Sequence, residues 1–185
     1  MKKTFIALMC CSASICFASE TDVAPFREAI KAFGGNLKSK LEVAVKEGGP
    51  LKAIEICNTE AMPIAEEHSQ KLGWKITRTS SKLRNSKNAP DAWETQVLQQ
   101  FEKRKANGED VTKLEHVETV QNPDGSKAIR YMKSIFISEG CLACHGEDLN
   151  PELAVKIKEL YPDDKATGFK LGDLRGAFSI TQPVK

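Results

Sequence analysis

Residues 116–145 read HVETVQNPDGSKAIRYMKSIFISEGCLACH. Residues 116–121 and 127–138 are β-prone runs rich in β-branched and aromatic side chains. Between them stands Asn122-Pro123-Asp124-Gly125, and an Asp-Gly step in that place is a hairpin signal. The stretch therefore predicts two antiparallel strands that deliver the chain to Cys141-Leu142-Ala143-Cys144-His145.

Working outward, the N-terminal side is helical. Residues 23–33 read as a helix that Gly34-Gly35 would stop, and residues 37–46 as a second one closed by Gly48-Gly49. Pro50 then suits a helix start. From Leu51 the apolar residues Leu51, Ile54, Cys57, Ala61, Ile64, Ala65 and Leu72 recur at steps of three and four, which puts Cys57 in the middle of one face. Pro63 removes a donor and crowds the carbonyl of Thr59, so a kink is expected one to two turns past Cys57. Residues 76–80 are strand-like, and residues 81–90 form a polar loop. Asp91 can cap a helix over 92–105 with Glu94 at its third position. On the C-terminal side, Asn150-Pro151 opens a short helix to Leu160, Pro162 stops it, and residues 177–181 are β-like. Helices first, then an antiparallel sheet, is an α+β arrangement.

The chain has 185 residues, 41% hydrophobic and 28% charged, enough for one domain with a buried core. With 27 Lys+Arg against 25 Asp+Glu it carries no basic stripe, so nucleic acid is not an expected partner. Residues 1–18 look like a secretory signal: Lys2 and Lys3 precede an apolar run over 4–17 too short to span a bilayer, and Ala18 closes a cleavage site. The expectation is an exported, periplasmic domain over residues 19–185 without stable membrane insertion. Leaving out Lys2 and Lys3, acidic and basic residues balance, so no electrostatic docking patch is read.

Removing Cys10, Cys11 and Cys16 with the signal leaves Cys57, Cys141 and Cys144. An odd count in an oxidising compartment asks for a reason. Cys-x-x-Cys-His is the attachment signature of c-type haem: two thiols add across the haem vinyl groups, and the adjoining histidine is the proximal ligand. One motif means one covalently attached haem c, held by Cys141, Cys144 and His145. The competing readings are a thioredoxin-type dithiol, a zinc site and a plain disulfide. A zinc site lacks its second ligand pair, because His68 and His116 lie far apart.

Several segments together resemble a family of single-haem c-type proteins with a PAS-like fold, formerly a domain of unknown function. The same domain also serves as the extracytoplasmic sensor of some histidine kinases. The segments are Ala53-Ile54-Glu55-Ile56-Cys57 with Ala61-Met62-Pro63-Ile64-Ala65, Arg78-Thr79-Ser80, Leu83-Arg84-Asn85, and Asn88-Ala89-Pro90-Asp91 with Trp93-Glu94. Then come Cys141-Leu142-Ala143-Cys144-His145-Gly146, Tyr161-Pro162 and Gly172-Asp173-Leu174-Arg175-Gly176-Ala177. They span roughly residues 26–181 in the family's order.

The residues alone leave the second axial ligand open among Cys57, Met62, Met132, His68 and His116. A buried cysteine on a helix face is often an inert small hydrophobe. The resemblance implies Cys57. A thiolate there would favour ferric iron and lower the potential relative to a thioether. Arg78, Arg84 and Arg175 are candidates for the haem propionates; the plainer alternative for Arg84 is a pair with Asp91 or Glu94. Trp93 and Phe101 are assigned to the core, and residues 127–130 to an exposed hairpin arm.

The expected function is one-electron transfer or redox signalling, with a gas or redox sensor that displaces Cys57 as the alternative. No distal acid–base pair is identifiable, so an enzyme is not expected. The expected partners are a redox protein of unspecified identity and, as an option, a second copy of the chain.

Overall fold

The structure, a computed structural model, describes residues 21–184. The predicted signal over residues 1–18 lies outside the described residues. Among the described residues, four α-helices and one four-stranded antiparallel sheet make an α+β fold, in keeping with the PAS-like class expected from the sequence.

The first helix, α1 (Ala24–Leu72), is broken at Gly48 and Gly49 into arms of residues 24–47 and 50–72. Gly49 takes a left-handed φ of 67°, a conformation that costs glycine least. The arms fold back on each other: Lys40 pairs with Glu60 at 2.7 Å, and the rings of Phe33 and His68 lie 5.9 Å apart.

Two helix signals in the sequence were overridden. Gly34-Gly35 does not stop the first arm, and residues 37–46 simply continue it. Gly34 instead admits the Phe178 ring, whose tip would lie 3.1 Å from a β-carbon there. Its smallness serves helix–sheet approach, not termination. Pro63 produces no break either, since only Gly48 and Gly49 leave helical geometry within α1. The buried neighbours Ala61, Ile64 and Ala65 hold that part of the helix against the sheet.

The remaining elements follow the hairpin logic. They are β1 (Lys75–Thr79), α2 (Ala92–Ala106), β2 (Glu115–Gln121), β3 (Lys127–Phe136), α3 (Glu139–His145), α4 (Pro151–Leu160) and β4 (Leu174–Pro183). Asp91 and Glu94 form the expected reciprocal capping box on α2. The strand order is β1-β4-β3-β2, with Tyr131 opposite Ile180 and Met132 opposite Ser179. Alternation sends neighbouring residues to opposite faces. Ile76, Tyr131 and Ile180 pack on Phe26, Ile30, Phe33 and Ile64 of α1. Met132 and Ala177 pack on Val97, Leu98 and Phe101 of α2. The sheet thus lies between α1 and α2, and α3 leaves directly from the end of β3. Among the described residues no helix is long and apolar enough to cross a membrane.

Candidate haem site

The cysteine–histidine motif folds as α3, seven residues beginning after Ser138. Both ends are tied to the segment that precedes β4. Ile137 N–H donates to Asp173 O and Gly172 N–H to Ile137 O, each at 2.9 Å. Phe169 N–H donates to His145 O at 3.0 Å, and Gly168 N–H to Gly146 O at 2.9 Å. Cys141 and Leu142 pack on Ile137, Ala166 and Phe169. The motif therefore sits in a fixed bed.

His145 Nδ1–H donates to the Ala166 carbonyl at 2.7 Å. That bond fixes the tautomer and leaves Nε2 as the lone-pair nitrogen, the arrangement a metal-binding histidine needs. Burial, together with the nearby Arg175 and Arg84, pushes the imidazole pKa down to about 3. His145 is thus neutral at physiological pH, with its ring edge-on to Phe169 at 6.3 Å.

Cys57, from the second arm of α1, packs with Cys144 against Ile54, Leu153, Ile157 and Tyr161. Burial pushes the Cys57 thiol up, while Arg78, Arg84 and Arg175 pull it back. Cys144 is also raised, mainly by burial. Among the described residues, Cys57, Cys141 and Cys144 form no disulfide.

The arginines decide whether a haem suits this chamber. Arg84 is paired with Asp164 at 3.1 Å and also donates to the carbonyls of Cys144 and Ala166 at 2.6 and 3.1 Å. Arg175 donates from Nη1 to Ser80 Oγ and Lys82 O, but its Nε is buried without a partner. Arg78 lies over the Phe33 ring at 5.9 Å, and burial lowers its pKa. Neither Arg78 nor Arg175 has a carboxylate partner among the described residues. Burial and the other two guanidinium groups bring Arg175 down to about 10. Three half-buried cations facing one paired carboxylate form a chamber short of negative charge. A group bringing two carboxylates would supply it, and an ionised Cys57 would add to it. The donor set agrees: among the described residues no three His, Cys, Asp or Glu side chains cluster to hold a bare metal ion. A single histidine and a single thiol suit an iron that brings its own four nitrogens.

The other candidates are dispersed. Met132 is fully buried between the sheet and α2. His68 rests on Phe33, and His116 lies by Glu118 and the Trp93 ring. Met62 lines a groove of about 540 Å³ beside β1, to which Arg78 also contributes but Cys57, Cys144 and His145 do not.

Two sequence assignments need correction. Arg84 does not pair with Asp91 or Glu94, because Arg130 occupies both, at 2.7 and 3.5 Å. Arg130 is therefore no exposed arm: its guanidinium lies 4.2 Å over Trp93, whose indole N–H reaches Glu118 at 2.8 Å. Phe101 is fully buried, as expected, while Trp93 only flanks the core. The partner of Arg84, Asp164, was missed. Its place three residues after Tyr161 in a turn-rich segment gave no signal.

The chain can now be set beside known proteins. No curated protein sequence matches it. The crystal structure titled cyanobacterial heme-protein Tll0287 superposes with a TM-score of 0.60 at 24% identity, covering 88% of this chain and 97% of that one. At that identity the likeness shows a shared fold. The Tll0287-like family model matches residues 17–183. With nearly the whole sequence inside that match, the chain belongs to the Tll0287-like family.

Proposed function

We propose that this chain is an exported monohaem c-type protein that transfers single electrons or reports redox state, and that it is not an enzyme. Cys141 and Cys144 would form the two thioether links, each Sγ–H adding across one vinyl group. His145 Nε2 would ligate the iron, and Cys57 is the candidate for the other axial position. Arg78 and Arg175, which have no carboxylate, suit the propionates. When bound, the haem would supply a one-electron couple. The heme-protein title of the superposed structure supports the same reading.

The observation that carries the proposal is His145 itself. Its Nδ1 is committed to Ala166 O, its ring is neutral, and Cys57 lies across an apolar cluster from the adjoining Cys144. The chain's own groups thus hold a neutral nitrogen donor ready in a half-buried place. The test is to produce the protein in a strain competent in cytochrome maturation and measure mass and spectrum. Covalent mass gain and a Soret band are expected. Colourless protein with the mass of bare polypeptide overturns the proposal. A low-temperature paramagnetic-resonance spectrum of the oxidised protein then separates thiolate/imidazole ligation from imidazole/thioether and bis-imidazole.

One observation favours the sensor reading. Burial favours the neutral Cys57 thiol, a poorer ligand than thiolate. A Cys57 thiolate that takes up a proton from solvent when the iron is reduced would leave as the neutral thiol and open the position to a diatomic gas. Rapid CO binding to the reduced protein supports displacement. An inert six-coordinate spectrum supports electron transfer alone.

A further inference from the structure

We infer that Arg84 is a positioning residue for His145, setting the strength of the Nδ1 hydrogen bond through a carbonyl that both residues share. This rests on the haem reading above, and concerns how the chain tunes that site.

The Ala166 carbonyl accepts from His145 Nδ1 at 2.7 Å and from Arg84 Nη2 at 3.1 Å. Arg84 is held there by a two-pronged pair with Asp164, Nε to Oδ1 at 3.1 Å and Nη2 to Oδ2 at 3.2 Å. The same Nη2 reaches Cys144 O at 2.6 Å, so the clamp spans the residue before His145 and the residue that orients it. Asp164 Oδ1 also accepts from Ala166 N–H at 3.0 Å, and Lys165 N–H donates to Leu83 O at 2.7 Å. These bonds close a small network from the loop carrying Arg84, through residues 164–166, to α3. The Arg84 and Asp164 side chains are only 8% and 7% exposed, so water does not screen them.

A cation donating to a carbonyl draws electron density from its oxygen and makes it a weaker acceptor for a second N–H. A weaker bond at Nδ1 leaves the imidazole with less imidazolate character, a less basic ligand, and relatively less stable ferric iron. Arg84 therefore holds the potential up, and Asp164, by neutralising part of its charge, moderates the effect. Beyond the Arg84–Asp164 pair, the charged group that acts on His145 is Arg175, which in turn feels Arg78.

The test uses ¹⁵N-labelled, haem-loaded, reduced protein. Arg84→Lys keeps the charge but cannot grip Asp164 with two prongs and reach both carbonyls. Its His145 Nδ1–H proton resonance should move downfield. At fixed ambient potential the oxidised-to-reduced ratio should rise at least threefold, equivalent to about 28 mV. Asp164→Asn frees the full cation on the carbonyl, so both readouts should move the opposite way. A merely structural clamp would loosen in both variants and shift them in one direction. If Arg84→Lys does not accumulate, the sign of the Asp164→Asn shift decides. Unmoved readouts in coloured protein, or shifts of one sign in both variants, overturn the inference and leave the haem reading standing. Colourless wild-type protein instead fells the haem reading and this inference with it.

Discussion

Cys57 and Cys144, from helices far apart in the chain, pack on one apolar cluster, and Cys57 is among the groups whose field raises the Cys144 thiol. The two residues thus share one apolar cluster, as the proposed attachment link and axial bond require. Cys57→Ala should keep covalent haem, change the low-spin ferric spectrum and raise the potential. Losing a ferric preference of about 3 kcal/mol would move it by roughly 130 mV. Spectroelectrochemical titration checks this, and an unchanged spectrum and potential would exclude the thiolate.

His145→Ala removes the neutral donor and one buried hydrogen bond to Ala166. The low-spin ferric signal should disappear, and the haem-free fold should lose only about 1 kcal/mol. Paramagnetic resonance on the loaded protein and urea unfolding of the haem-free chain measure the two effects separately.

Arg130 is held by Asp91, Glu94 and Trp93, and Glu94 is itself buried at the N-terminus of α2. Removing the cation strands that carboxylate. Arg130→Ala should cost about 3 kcal/mol. Adding Glu94→Gln, which keeps the capping acceptor but not the charge, should restore part of it. Equal stability of single and double variants in urea titrations would refute the pairing argument.

Glu115 takes bonds from Arg27 and from Tyr131 Oη, the latter at 2.6 Å. The Arg27 bond chiefly holds its carboxyl down, to about 2 against an ordinary 4.5. A depressed folded value stabilises the protein above the ordinary carboxylate range. That contribution is lost as pH falls from about 4.5 through 2. Acid titrations of wild type and Glu115→Gln should therefore diverge at neutral pH and converge toward pH 2, and parallel curves would contradict the assignment.

Local signals in the sequence carried far. The Asp124-Gly125 turn, the Asp91–Glu94 capping box and the Gly48-Gly49 break each act within a few residues, and the structure reproduces the elements they imply, whereas the cysteine–histidine segment, read as a loop, folds as the short helix α3. What misled were residues whose role is tertiary. Gly34 looks like a helix stop but makes room for Phe178, and Pro63 looks like a kink but is braced by neighbours that pack on the sheet. Charged pairs were least legible. Arg84 and Arg130 each had acidic residues available in the sequence, and only the folding of the 164–166 segment and of β3 beside α2 assigns Asp164 to one and Glu94 to the other.

The turn at Gly49 makes the second arm of α1 a lever with Cys57 eight residues from its fulcrum, about 12 Å along the helix axis. A rotation of about 10° there would swing the sulfur by roughly 2 Å, ten times the ~0.2 Å tolerance of a metal–ligand bond. Under the proposed Cys57 ligation, backbone torsion at Gly49 would therefore bear directly on where the sulfur stands. Gly49→Ala, by straining that torsion, should loosen the axial bond while leaving the thioether anchors untouched.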